Sequence, residues 1–236
     1  MNVDQIRAAL PGRPIHYYAT VDSTMRAAAG QPPGAIVIAE EQIAGQGRHG
    51  HSWHSEAGSG IYCSVVLKPS PVLTLALGLA TAETIAGVTG IACDLRWPND
   101  VLAGGKKVAG ILVQLVNGTA IGGIGINVNH TAFPAELEPQ ATSLRLQAGR
   151  EFSREELLVA LIPALESFAG MEKETVLGLF RQASSYAAGR RVVVAQAEGL
   201  IEGVTAGLDS SGYLVVRKDD GTDTLILAGG VRAAGT

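Results

Sequence analysis

The feature that most restricts the fold is a pair of apolar runs, VAGILVQLV at 108–116 and AIGGIGINV at 120–128, separated by Asn117 and Gly118. Asn-Gly favours the positive φ angles of a tight hairpin turn, so the two runs are predicted to pair antiparallel. Both are apolar along most of their length, which marks them as mostly buried strands. A longer apolar run from Val72 to Ala92 nearly reaches membrane-spanning length. Glu83 and the threonines and glycines of its second half make it a poor membrane segment, and it reads as a buried core helix.

Around these elements the pattern predicts helices at 2–10 and 22–30, the second opened by Asp22, Ser23 and Thr24 as candidate caps. Strands are predicted at 35–42, 60–68 and 94–97, and two helices within 153–187. Near Ala187 alanine-rich helical sequence gives way to β-branched alternation, with turn signals at Asp209 to Gly212 and Asp219 to Gly221. We therefore expect two domains, 1–187 and 188–236, the second a small β-barrel.

With 47% hydrophobic and 17% charged residues, the 236-residue chain carries enough apolar material for a large core and is not of the disordered class. Its 18 basic and 22 acidic residues leave a net charge of -4, so no overall basic field attracts nucleic acid. Cys63 and Cys93 lack zinc-type spacing, and the first ten residues lack the regions of a secretory signal. Both thiols are expected to be reduced, in cytoplasm.

The chemistry concentrates in the segment from Gly45 to Ser55, GQGRHGHSWHS, which joins two predicted strands. Gly45, Gly47 and Gly50 permit positive φ and close backbone approach, and Arg48 adds a permanently charged fork matched to phosphate or carboxylate oxygens. His49, His51 and His54 raise the question of zinc, but no acidic residue joins them immediately, so a metal is not the favoured reading. Lys106 and Lys107, two of only five lysines, precede a strand; an ammonium there can bridge a carboxylate and a phosphoryl oxygen, although a solvated pair is the simpler reading. The tetrad WPND at 97–100 reads first as a turn, and functionally as presenting Asp100 to a magnesium ion. GGIGIN at 122–127 lacks dinucleotide-fingerprint spacing; glycines within a strand indicate close approach of a backbone or ligand, beside which Asn127 would offer an amide to a nucleotide.

In order along the chain, VDSTM (21–25), AEEQIAGQGRHGHSW (39–53), WPNDV (97–101), KKVAGIL (106–112) and GIGINVN (123–129) resemble the conserved blocks of the bacterial biotin protein ligases. Gln46 and His51 stand where arginine is common in that family's loop, and Met25 stands where asparagine is frequent. The resemblance implies an α/β (α+β) fold: a mixed-sheet, class II synthetase-like catalytic domain followed by an SH3-like β-barrel. It also implies a two-step reaction in which biotin and MgATP give biotinyl-5′-AMP, and the acyl group then passes to a lysine of a biotin carboxyl carrier protein.

On that resemblance Arg48 and Lys107 are the catalytic cations and Asp100 the Mg2+ residue. Ser23, Thr24 and Gln42 would meet the ureido head of biotin, with Gly45, Gln46 and Gly47 supplying loop backbone. Gly110, Gly123 and Gly125 would form a flat wall for the ring and valeryl chain, with Trp53 as cover. Arg48, His51, Lys107 and Asn127 would contact the nucleotide. The chain begins almost directly with ligase sequence, so a winged DNA-binding domain and a repressor role are not expected; a homodimer is. Lipoate or octanoate ligation, or biotin binding without turnover, are the alternatives.

Overall fold

The computed structural model describes residues 1–196 and 199–234. Seven strands form one mixed sheet: β1 (Ile15–Val21), β2 (Ile36–Gln42), β3 (Gly60–Leu67), β4 (Asp94–Arg96), β5 (Asp100–Ala103), β6 (Lys106–Val116) and β7 (Thr119–Asn127). Their order is β1-β2-β3-β7-β6-β5-β4, with β1 and β2 parallel and every other neighbour antiparallel. The predicted hairpin forms with Val116 opposite Thr119, and Asn117 and Gly118 both take positive φ, 49° and 80°.

Alternation along the strands divides the sheet into two faces. Ile36, Ile38, Ile61, Cys63, Val65, Ile124 and Ile126 join the main core, beneath the apolar helix α3 (Leu73–Thr89), α5 (Arg154–Ala169) and α6 (Lys173–Ala183). Val37, Val66 and Ile121 face the other way, into a small cluster with Met25 and Ala28 of α2 (Thr24–Ala28). Ser153 caps α5 by accepting from the Glu156 backbone N–H at 3.1 Å, and Gly90, at φ 75°, ends α3. No helix among the described residues is long and apolar enough to cross a membrane.

The remaining strands, β8 (Ala188–Gln196), β9 (Gly199–Leu208), β10 (Leu214–Arg217), β11 (Asp223–Ile226) and β12 (Gly230–Ala233), make a separate antiparallel sheet in the order β11-β10-β9-β8-β12. Its edge strands β11 and β12 do not pair among the described residues, so the expected barrel is an open five-stranded sheet. Three further differences have local causes. β1 escapes pattern reading because none of its residues is fully buried, so no alternation marks it. Helix α2 is shorter than predicted, and Ser23 occupies its N-cap position without making the side-chain cap bond. The outer half of β6 faces solvent, with Leu115 71% exposed, whereas β7 is buried along most of its length.

A glycine-floored cleft as candidate active site

One cleft, with a volume of about 400 Å³, opens on the small-cluster face of the sheet. Its floor is the β6–β7 pair, where Gly110 lies opposite Gly125 and Gly123 opposite Leu112. A β-carbon on Gly125 would stand 2.5 Å from Trp53 Nε1, and one on Gly110 would stand 2.8 Å from Trp53 Cζ3, so only glycine lets the indole settle there. Gly123 is covered by Met25, whose Sδ would lie 2.5 Å from an added β-carbon. The expected bare glycine wall is thus already clothed: over Gly110 and Gly125 the indole, and over Gly123 the thioether, form the surface.

The glycine segment folds back on itself. The Trp53 N–H donates to Gly45 O at 2.9 Å, the Gly47 N–H donates to His51 O at 2.7 Å, and Gln46 bridges Ser52. A β-carbon on Gly45 would meet Trp53 O at 2.6 Å and Ser55 Oγ at 2.8 Å, which fixes glycine at this crossing. The tip is a short 3-10 turn, Arg48–Gly50, with His49 at φ 55°; His49 and His51 are exposed. Arg48 turns inward and donates to Asn99 Oδ1 at 3.3 Å. Burial pulls its guanidinium below the ordinary arginine value, and nearby Asp100 opposes that shift.

At the polar end the Thr24 N–H and Oγ1 both donate to Gln42 Oε1, at 2.8 and 3.1 Å, and Ser64 Oγ donates to Thr24 Oγ1 at 2.8 Å. Gln42 Nε2 donates to Ser55 Oγ, which donates on to Trp53 O. Two cleft-lining atoms have no partner among the described residues: Ser23 Oγ, in a residue with no exposed surface, and the buried Trp53 Nε1. Unpaired buried donors are uncommon and costly.

At the other end, β4 and β5 form a hairpin around Trp97, Pro98 and Asn99, with Arg96 paired to Asp100. The tetrad is therefore a turn, as first read, and it carries polar groups into the cleft. Asp100 Oδ2 takes Arg96 at 2.6 Å and Oδ1 takes Lys107 at 2.5 Å. Burial works against the Asp100 charge, but Lys107 and Arg96 outweigh it and hold the carboxyl below the usual range. A divalent cation at Asp100 does not fit this set, because both oxygens already serve cations and the nearest partners are positive rather than further oxygen donors. Of the two lysines, Lys107 reaches the cleft, its Nζ 5.3 Å from the Trp53 ring centre, while Lys106 is exposed and donates to Glu138 O. Asn127 also lines the cleft, but its Nδ2 donates to Thr142 O at 3.0 Å, so that donor is committed to the protein's own backbone.

Pattern reading overlooked several cleft residues. Arg96 precedes the WPND tetrad and Asn99 lies inside it, read there only as part of a turn; both are identified through their partners. Gly229 and the β12 residues Gly230 to Arg232 line the cleft without any sequence signal. The second sheet is tied in from below, since Trp97 Nε1 donates to Gly212 O at 2.9 Å.

Fold and sequence together define the class: residues 17–130 match the model of the Biotin/lipoate A/B protein ligase family. The chain is 34% identical over 223 residues to the biotin–[acetyl-CoA-carboxylase] ligase of Mycobacterium tuberculosis, covering 89% of this chain and 82% of that protein. It is 31% identical over 238 residues to the bifunctional ligase/repressor BirA of Bacillus subtilis, covering 92% and 73%. The structure of the biotin protein ligase from Aquifex aeolicus in complex with biotin and ATP matches with a TM-score of 0.84 at 32% identity, covering 94% of this chain and 99% of that one. Within the class, the chain belongs to the biotin protein ligase family.

Proposed function

We propose that this protein joins biotin to MgATP, forming biotinyl-5′-AMP and pyrophosphate, and then transfers the biotinyl group to a lysine of a biotin carboxyl carrier protein. The observation that carries the reading is the gradation along one cleft: unpaired Ser23 and the Thr24–Gln42 relay at one end, the Trp53 surface between, and Lys107, Arg96 and Arg48 at the other. A neutral ureido ring, an apolar ring with its chain, and a carboxylate fit that order.

In the first step a carboxylate oxygen attacks the α-phosphorus, the bond from that phosphorus to the bridging oxygen breaks, and pyrophosphate leaves. Two anions must approach each other, so Lys107 and Arg48 are the groups that offset the repulsion, with magnesium arriving on the nucleotide as substrate. Asp100 then acts through the ammonium it holds, as a positioning residue. In the second step the amine of the carrier lysine attacks the acyl carbon, AMP departs from it, and the amine proton passes to solvent. No enzyme nucleophile is required, so the chain's task is alignment and charge.

Residues 1–187 are proposed to carry this chemistry, with residues 188–236 supporting nucleotide and carrier. His51 and Asn127 are proposed on the nucleotide side, Asn127 through its remaining amide oxygen. Gly45, Gln46 and Gly47 are proposed to shape the loop around biotin. A cytoplasmic setting and a homodimer are proposed on family resemblance alone. Lipoate and octanoate lack the ureido group and would leave Ser23 unpaired, and the named relatives are ligases for biotin.

The test is intact-mass analysis of an apo carrier domain incubated with MgATP, biotin and competing lipoate and octanoate. A biotin adduct that depends on ATP is expected. A lipoyl or octanoyl adduct would move the substrate, and absence of both pyrophosphate and adduct would remove the enzymatic reading.

A further inference from the structure

Of the three loop histidines, His54 faces His130, just beyond β7, with ring centres 6.0 Å apart. Glu56 completes a group whose candidate ligand atoms all lie within 4.8 Å of one another. His130 has no exposed surface, and its Nδ1 is buried without a partner among the described residues. Its other nitrogen is accounted for. The Tyr62 hydroxyl has one proton, which it donates to Glu56 O at 2.9 Å, so at the 3.3 Å contact between Tyr62 and His130 the ring Nε2–H is the donor. That assignment leaves Nδ1 as a bare lone pair in a closed space.

This is the arrangement a metal-binding imidazole takes, one nitrogen fixed by a neighbour and the other held open. The support is built. His130 stacks on Phe133 at 5.1 Å, and its carbonyl accepts from Ser143 Oγ at 2.6 Å. The backbone N–H groups of Val128 and Asn129 donate to Ser59 O, joining the exit of β7 to the segment that carries Glu56.

We propose that His54, Glu56 and His130 form a site for a borderline transition ion of the Zn2+ class, at the margin of the cleft that His54 also lines. Two imidazoles and one carboxylate suit such an ion, whereas Mg2+ prefers an all-oxygen set. Tetrahedral ligands about 2 Å from zinc lie roughly 3.4 Å apart, so closing the group asks the solvent-accessible His54 and Glu56 to move by about 1 Å. The bound ion would tie His54, next to Trp53 in the chain, to the end of the strand that floors the cleft.

The experiment is calorimetric titration of the metal-stripped full chain with Zn2+ alone, without biotin or ATP, and Co2+ absorption as a second readout. One saturable site of micromolar or tighter affinity and a tetrahedral Co2+ spectrum are expected. Both should be lost in His54→Ala and Glu56→Gln, and kept in a His49→Ala/His51→Ala double variant. Tyr62→Phe, which removes the fixing contact, should weaken binding about tenfold. His130→Ala adds to the set where circular dichroism confirms folding; the other variants stand without it. No saturable binding, or binding that survives His54→Ala and disappears with His49 and His51, would overturn the site.

Discussion

Gly125→Ala places a methyl group where the Trp53 indole now rests. The new β-carbon would stand 2.5 Å from Nε1 and 2.8 Å from Cζ2, against an ordinary contact of 3.4 Å or more, so the ring must retreat by about 0.9 Å at the first atom. Sliding toward β6 brings it onto the Gly110 backbone, since its Cζ3 already lies 2.8 Å from where a β-carbon on Gly110 would stand. Nor is its backbone free, since the Trp53 N–H is bonded to Gly45 O. Overpacking of this size costs about 1–3 kcal/mol. Expressed at the cleft rather than in global stability, that is a rise in the KM for biotin of roughly 5- to 150-fold. The assay is pyrophosphate release with biotin as the varied substrate, alongside thermal unfolding. The double variant Gly125→Ala/Trp53→Phe should recover part of the loss, because a smaller ring makes room for the methyl and the two changes are then non-additive. A KM within twofold of the parent, with unchanged Trp53 emission, would refute the claim that the glycine floor exists to seat this indole.

Lys107→Ala should lower kcat/KM for adenylation roughly hundredfold, corresponding to about 3 kcal/mol of transition-state stabilisation; near-normal pyrophosphate release would take Lys107 out of the reaction. Asp100→Asn leaves Arg96 and Lys107 facing each other and should destabilise the fold by about 3 kcal/mol at neutral pH, read by chemical denaturation. Because the folded Asp100 carboxyl lies below its unfolded value of about 3.9, its contribution is fully present above that pH and is lost as pH falls through the folded value. The gap between parent and variant should therefore be flat near neutrality and shrink on acidification below about pH 4; a gap that widens there would reverse the argument. Trp97→Phe removes the indole donor to Gly212 O and should cost about 1 kcal/mol in unfolding, and an unchanged midpoint would show that this tie carries no stability.

The main catalytic-sheet elements were legible because their signals are local. Asn117-Gly118 marks a turn by backbone preference alone, and the uninterrupted apolar run of α3 marks a helix buried on most sides. β1 was not legible, since a strand at the sheet edge with no fully buried residue has no period to read. The same division holds in the cleft. Gly110 and Gly125 are visible as strand glycines, but that they face each other follows only from the β6–β7 register, and what they seat belongs to a loop some sixty residues away. The charge state of the site is equally non-local: Asp100 reads as a metal ligand until Arg96 and Lys107 are found on its two oxygens. His54, grouped in the sequence with its loop neighbours His49 and His51, faces His130, which lies beyond β7.

The chain's only two tryptophans both line the same cleft, Trp53 on the loop and Trp97, 4% exposed, in the β4–β5 turn. Their emission therefore divides by place. In a Trp97→Phe protein every photon excited from indole would come from the residue that covers the glycine floor, beside the ammonium of Lys107. Such a variant would carry its own optical gauge of loop position, read in solution through each stage of a turnover without an attached dye.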